Sequence, residues 1–81
     1  MSQEAEQYRT AAYARRQFLT EHAEGLDIPA RAELFYLEGD VIEALTALSE
    51  RAESEGRELG AAEYRGLARV HSQNQENLSV F

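Results

Sequence analysis

Apolar residues recur every three or four positions in three successive segments of the chain, which is the spacing of amphipathic α-helices. In the first segment the apolar stripe comprises Ala5, Tyr8, Ala12, Leu19, Ala23 and Leu26. In the middle segment it comprises Ala30, Leu34, Leu37, Val41, Ala44, Leu48 and Leu59, with Glu55 interrupting it. In the third segment it comprises Tyr64, Leu67, His71, Asn74, Leu78 and Phe81. The pattern predicts three helices.

Capping residues set the expected boundaries of these helices. Ser2 and Asp27 are suitable N-caps, Pro29 is tolerated in a first helical turn, and Gly25 can end the first helix in a left-handed conformation. The predicted helices cover residues 2–24, 28–55 and 58–76, and residues 77–81 are expected to fray.

The third stripe is rotated by roughly 100° relative to the middle stripe, at 100° per residue. One straight helix cannot keep both stripes on one face, so the chain is expected to break near Gly56–Gly60. Short connections favour antiparallel neighbours. The sequence therefore predicts a single all-α domain over residues 1–81, either an antiparallel three-helix bundle or a helical hairpin plus a third helix.

The middle segment is apolar on more than one side. Ile28, Phe35 and Ile42 form a second row at a spacing of seven, and Tyr36 lies on a third side. Two interpretations stay open: a central helix that contacts both neighbours, or a helix that self-associates through Phe35, Tyr36 or Ile42. A homodimer fits the second interpretation, because an alanine-rich core is thin and a partner chain would add buried apolar area.

The middle segment also resembles a tetratricopeptide repeat over about half of the chain. The residues that carry the resemblance are Ala32, Phe35, Gly39, Asp40, Ala44 and Leu48. The resemblance implies a protein-binding scaffold with a turn at Gly39-Asp40. The heptad stripe passes through Gly39 without a change of phase, which instead favours a continuous helix, and both alternatives stay open.

The amino-acid composition disfavours or excludes several classes of function. The 81 residues include 15 acids, eight arginines and no lysine, giving a net charge of −7. This balance disfavours binding to nucleic acid or to an anionic membrane. The absence of cysteine excludes disulfides and cysteine-based metal sites, and no apolar run reaches the length of a membrane span. We expect a cytoplasmic protein.

Charge is concentrated on the middle segment, where residues 27–56 carry eight acids and two arginines. Its acids form a ridge roughly opposite the apolar stripe, and Tyr36 lies within that ridge. The ridge comprises Glu33, Asp40, Glu43, Glu50 and Glu53. It is either a solvated outer face or a docking face for a basic protein, with Phe35 and Tyr36 as its aromatic flank. A special case is a DNA mimic that inhibits a DNA-binding protein.

The first helix places three polar residues in its apolar arc, namely Glu4, Arg15 and His22. A buried arginine must be paired, because an uncompensated buried charge is strongly destabilising. Arg15 therefore either extends along the edge of the bundle, with its stem covering apolar neighbours, or pairs with an acid of the middle helix or of a partner chain.

Catalysis and metal binding have little support in the sequence. His22 and His71 are the only histidines, and no nucleophile motif or phosphate-binding loop accompanies them. Neither histidine has another histidine or an acid three or four residues away, the spacing that places two metal ligands on one face of a helix. We expect a non-enzymatic adaptor, regulator or accessory subunit without a metal or cofactor. The C-terminal Ser79-Val80-Phe81 either is the end of a helix or resembles a tail bound by PDZ-type domains.

Overall fold

A computed structural model describes residues 2–78 of the chain. Within this range the protein consists of three α-helices and no strands: α1 (Gln3–Glu21), α2 (Ile28–Ser54) and α3 (Glu58–Leu78). The predicted all-α, three-helix architecture is confirmed. Residues 77 and 78 belong to α3, so the prediction that fraying begins at residue 77 is wrong for these two positions, and Ser79, Val80 and Phe81 lie outside the described residues. None of the three described helices is long and apolar enough to cross a membrane.

The predicted N-caps of α1 and α2 are confirmed. The Ser2 side chain accepts a hydrogen bond from the Ala5 N–H at 3.1 Å, and the Asp27 carboxylate accepts one from the Ala30 N–H at 2.9 Å. Each cap satisfies a backbone donor that the first helical turn leaves without an intrahelical partner.

Helix α1 ends at Glu21, three residues earlier than predicted. The His22 backbone N–H still donates to the Phe18 and Leu19 carbonyls, while its ring stacks on the Phe18 ring at 4.0 Å and its Nδ1 lies 2.9 Å from the Phe18 carbonyl. These contacts end the helix at His22, and the turn that follows reaches Gly25, which has φ +140°.

The connection from α2 to α3 is a Schellman motif at the predicted break. Gly56 adopts φ +75°, its N–H donates to the Glu53 carbonyl, and the Arg57 N–H donates to the Ala52 carbonyl at 2.8 Å. This pair of bonds ends a helix with a residue in the left-handed conformation, which glycine adopts without a Cβ clash. The next helix then begins at Glu58.

Helix α2 is continuous through Gly39 and Asp40. At this point the Gln75 Nε2 of α3 donates to the Phe35 carbonyl at 3.1 Å, and a Cβ on Gly39 would lie 3.1 Å from the same Nε2. Gly39 therefore makes room for a close approach of α3 rather than for a turn. The turn that the tetratricopeptide resemblance implies is not formed here, and the resemblance itself stays a prediction from the sequence.

Helix α2 is the central element, and the other two helices pack against it in antiparallel orientation. Within residues 2–78, no Cα of α1 lies within 8 Å of a Cα of α3. Four of the nine buried apolar side chains are alanines, so the core is small. The nine are Phe18, Ala30, Leu34, Val41, Ala44, Leu45, Leu48, Ala52 and Ala61.

Two leucines of the predicted apolar stripes are exposed. Leu59 is 83% exposed, so its assignment to the middle stripe is wrong. The stripe cannot continue to that position, because α2 ends at Ser54 and Leu59 lies in the first turn of α3 on its outer side. Leu67 is 44% exposed, because α3 contacts α2 along a narrower face than its spacing predicts.

Candidate protein-binding surface

The predicted acidic ridge lies on the outer side of α2. All five of its carboxylates are exposed, and they point away from the side of α2 that carries the core. We call this surface the acidic face; it comprises Glu33, Asp40, Glu43, Glu50 and Glu53. Within residues 2–78 only Glu53 has an ion-pair partner on this face, the Arg65 guanidinium at 3.5 Å.

Four of the eight arginines pair with acids elsewhere in the molecule. Arg9 pairs with Glu6, Arg15 with Glu38, Arg51 with Glu4 and Glu55, and Arg57 with Glu55. The four remaining carboxylates of the acidic face form no ion pair with a cation of residues 2–78. The face is predominantly negative, with Arg65 and Arg69 of α3 beside its end at Glu50 and Glu53.

Two aromatic side chains border the acidic face. Tyr36 is 72% exposed, and its ring meets the half-buried Phe35 ring edge-on at 5.9 Å. The backbone of Phe35 is also fixed, because its carbonyl accepts the hydrogen bond from Gln75. An exposed tyrosine held on a rigid helix supplies contact area at low cost in conformational entropy.

Arg15 forms an ion pair inside the molecule, which decides between the two alternatives for this residue. Its Nε donates to Glu38 Oε1 at 2.9 Å, and the Nδ1 of His71 lies 2.6 Å from the same oxygen. An ionised carboxylate only accepts, so His71 donates from Nδ1. Glu38 is 1% exposed, and this one oxygen links α1, α2 and α3.

The other two polar residues predicted in the apolar arc of α1 have separate partners. The Glu4 carboxylate accepts from Arg51 Nη1 at 2.9 Å, which joins the start of α1 to the end of α2. His22 contacts Phe18 through its ring and its Nδ1. The structure therefore does not bring Glu4, Arg15 and His22 into one cluster.

The sequence reasoning missed Glu38 as the buried partner. Glu38 lies four residues after Leu34 and three before Val41, both of which are buried, so its register already pointed to the core. The sequence also did not indicate that Arg15 of α1 and His71 of α3 meet at the same residue of α2. Their proximity depends on the angle between helices, for which the sequence carries no direct signal.

The turn between α2 and α3 contains a local ion pair. Arg57 Nη2 donates to the Glu55 carboxylate at 2.6 Å. This hydrogen bond, with the charges of Arg57 and Arg51, lowers the pKa of the Glu55 carboxyl below its ordinary value of 4.5, although desolvation acts in the opposite direction. The same contact raises the pKa of Arg57.

Potential metal ligands are dispersed over the described part of the chain. No group of three or more histidine, aspartate or glutamate side chains within residues 2–78 is placed to hold a metal ion. The oxygen of Glu38 is occupied by its two hydrogen-bond donors. The surface features with the clearest chemistry are therefore the acidic face and its tyrosine.

Comparisons of the chain with protein-family models, with curated proteins and with solved structures found no match.

Proposed function

We propose that the protein is a non-catalytic protein–protein interaction module, an adaptor, regulator or accessory subunit of the cytoplasm. Its acidic face docks a basic partner, and Tyr36 is the aromatic anchor. The single observation that carries this function is the set of four exposed carboxylates without an ion pair within residues 2–78, beside a tyrosine that is 72% exposed.

The residues around these carboxylates indicate that the carboxylates do not serve to stabilise α2. A surface helix gains from cations three or four residues from each acid, and like charges at these spacings cost a similar amount. None of the four carboxylates without an ion pair has an arginine at such a spacing, whereas Asp40 and Glu43 are three residues apart. The face is thus not arranged to stabilise α2 by itself.

The physical properties of the face suit a basic partner. Carboxylates that have no ion pair within residues 2–78 can pair with incoming lysines or arginines without breaking a described ion pair. A predominantly negative field also accelerates association with a basic partner at low ionic strength. Tyrosine is enriched among the residues that contribute most to binding energy, so Tyr36 is expected to dominate the affinity and the carboxylates the rate.

The test is capture of partners from the native host by the full chain, identified by mass spectrometry at low and at moderate salt. We expect a basic partner whose recovery falls as salt rises. In a purified titration, Tyr36→Ala should weaken binding by about tenfold or more, the usual cost of truncating an anchor. The double variant Glu43→Gln/Glu50→Gln should slow association and flatten the salt dependence.

Glu63→Gln is the matched control, because Glu63 is an exposed carboxylate of α3 without an ion pair in the described residues. It should leave affinity unchanged. Equal binding by Tyr36→Ala, by the double variant and by the control would remove the acidic face from the proposed function. If the captured partner is a DNA-binding protein and DNA competes for it, the DNA-mimic alternative is the correct one. Homodimerisation stays a separate prediction, which sedimentation at several concentrations checks.

A further inference from the structure

A groove of about 530 Å³ lies between α1 and α3, on the opposite side of α2 from the acidic face. Its floor is Leu48 of α2, which is buried beneath it. Three tyrosines line its sides, Tyr8 and Tyr13 from α1 and Tyr64 from α3. Tyr13 is 64% exposed, so a large aromatic surface of this groove is open to solvent.

The groove is open because the backbones of the two outer helices stay apart and small side chains face the space between them. The backbones of α1 and α3 stay more than 8 Å apart at every Cα pair in the described chain, and α1 presents Ala5 and Ala12 to the gap. The methyl side chain of alanine is too short to fill the space. At the other end of the molecule, Phe18 and Leu34 pack with Leu78 and close the gap.

The charge of the groove is opposite to that of the chain. Arg9 and Arg16 lie among its lining residues and no carboxylate does, although acids outnumber arginines 15 to eight overall. Arg9 reaches Glu6 at 3.1 Å on the exposed side of α1. The guanidinium of Arg16 has no carboxylate within ion-pair distance among residues 2–78. The groove thus combines an aromatic surface with a positive rim.

The length of the groove matches a short helix. The lining residues of α1 run from Ala5 to Arg16, which corresponds to about 16 Å, or three helical turns, at 1.5 Å per residue. Two helices that pack on a third with their backbones apart leave the position that a fourth helix takes in a four-helix bundle. Helix-in-groove recognition uses apolar anchors at such spacing.

A second copy of this chain is a poor occupant. Two grooves facing each other across a two-fold axis would bring Arg9 and Arg16 of one protomer towards those of its partner. The acidic face of one copy in the groove of the next would form a heterologous contact, which builds a ring or an open filament rather than a two-fold dimer. The first arrangement is disfavoured by charge, and the second differs from the two-fold symmetry that is commonest among homo-oligomers.

We propose that this groove binds a short amphipathic helix of another protein, with apolar side chains on Leu48 and the tyrosines and acidic side chains at Arg9 and Arg16. The helix is acidic, so it differs in charge from the basic partner of the acidic face. The protein then joins two partners of opposite charge on opposite sides of α2.

The probe is a phage-displayed library of 16-residue peptides, selected on the immobilised full-length protein. We expect enriched peptides to carry aromatic or aliphatic residues at helical spacing, together with glutamate or aspartate. In titrations of the best peptide, Arg16→Glu and Tyr13→Ala should each weaken binding by about tenfold or more. Both residues are exposed, so neither substitution should unfold the chain.

Two matched controls separate this groove from the rest of the surface. Arg69→Glu reverses an exposed arginine of α3 that has no ion pair in the described residues, and Tyr36→Ala removes the tyrosine of the acidic face. Each should leave affinity within about twofold. NMR shift changes on peptide addition should concentrate on residues 5–16 and on Tyr64.

Four outcomes would overturn the proposal. These are a selection without enriched binders, enriched peptides that are basic, binding that Arg16→Glu and Tyr13→Ala leave intact, and a concentration-dependent dimer that these two variants dissociate. None of them depends on the acidic face, so the proposed function can fail or hold independently.

Discussion

Glu38 is the most deeply buried charged residue among residues 2–78. Its carboxylate is almost fully enclosed and accepts from Arg15 of α1 and His71 of α3 at a single oxygen. A buried charge is tolerated only when it is paired and hydrogen-bonded. No buried side-chain nitrogen or oxygen of the described residues lacks a partner, so the network is complete. It fixes how the two outer helices align on α2.

At this scale we predict that Arg15→Met lowers the free energy of unfolding by about 1–3 kcal/mol. This is less than the loss for a fully buried pair, because Arg15 is partly exposed and His71 remains beside Glu38. Urea denaturation gives the value. Arg16→Met is the control, since Arg16 is exposed and its guanidinium makes no ion pair within residues 2–78, and it should change stability by less than about 0.5 kcal/mol.

The double variant Arg15→Met/Glu38→Met sharpens this prediction. Removing both charges leaves no carboxylate to be buried without Arg15, so the double variant should cost less than the sum of the two single variants. Equal unfolding free energies for Arg15→Met and Arg16→Met, or strict additivity in the cycle, would show that the ion pair contributes nothing to the fold.

Among the structural elements, the turn glycine Gly56 and the helical glycine Gly66 differ in backbone conformation. Gly56 has a positive φ in the Schellman motif, whereas Gly66 lies inside α3 with open space where a Cβ would project. Glycine costs a helix interior about 0.8–1 kcal/mol relative to alanine. Gly66 therefore lowers the helix propensity of α3, and no close contact in the structure requires a glycine there.

We predict that Gly66→Ala raises the free energy of unfolding by about 1 kcal/mol, because it adds helix propensity without a clash. Gly56→Ala should lower it by about 1–2 kcal/mol, because an L-residue is strained in the left-handed region. Thermal and urea unfolding of the two variants check both signs. A destabilised Gly66→Ala variant would mean that the space around residue 66 is filled in solution.

The turn between α2 and α3 predicts a pH dependence. The pKa of Glu55 is lowered by its hydrogen bond to Arg57, so this contact stabilises the folded chain above the ordinary pKa of 4.5, and the stabilisation is lost as the pH falls through the lower, folded-state pKa. Arg57→Gln should move the pKa of Glu55 back towards 4.5. Carboxyl-detected NMR titration measures this, and an unchanged titration of Glu55 would contradict it.

In the molecule as a whole, α1 and α2 differ in how many of their side chains are buried. The first half of α1 contacts α2 on one side and borders the open groove on another, and Phe18, near the other end, is the only buried side chain of α1. Helix α2 buries nine side chains and is packed along its length. The buried apolar area of α1 is therefore concentrated near its C-terminal end.

We predict from this asymmetry that backbone amides of residues 5–12 exchange with solvent faster than those of residues 41–52 under native conditions. Local opening requires less buried area to be exposed at the start of α1 than in the middle of α2. Hydrogen–deuterium exchange measures both segments in one experiment. Equal protection would indicate that α1 opens only with the whole domain, and a bound groove peptide should slow exchange in residues 5–12.

Much of the local structure follows from the sequence alone, because caps and apolar spacing act within a few residues. Ser2, Asp27 and Gly56 each mark a helix boundary within one or two residues of the observed one. The acidic face was also predictable, since the side chains of one helix project at fixed angles. The early end of α1 was not, because it depends on the contact of His22 with Phe18.

The number of helices, their order and most of their apolar faces follow from the spacing and capping residues of the chain. The continuity of α2 through Gly39, the meeting of Glu38 with Arg15 and His71, and the open groove between α1 and α3 emerge only when the helices pack. The difference lies in the range of the interactions. Periodicity and capping are local, whereas the approach of two helices depends on how side chains 20–50 residues apart pack against each other.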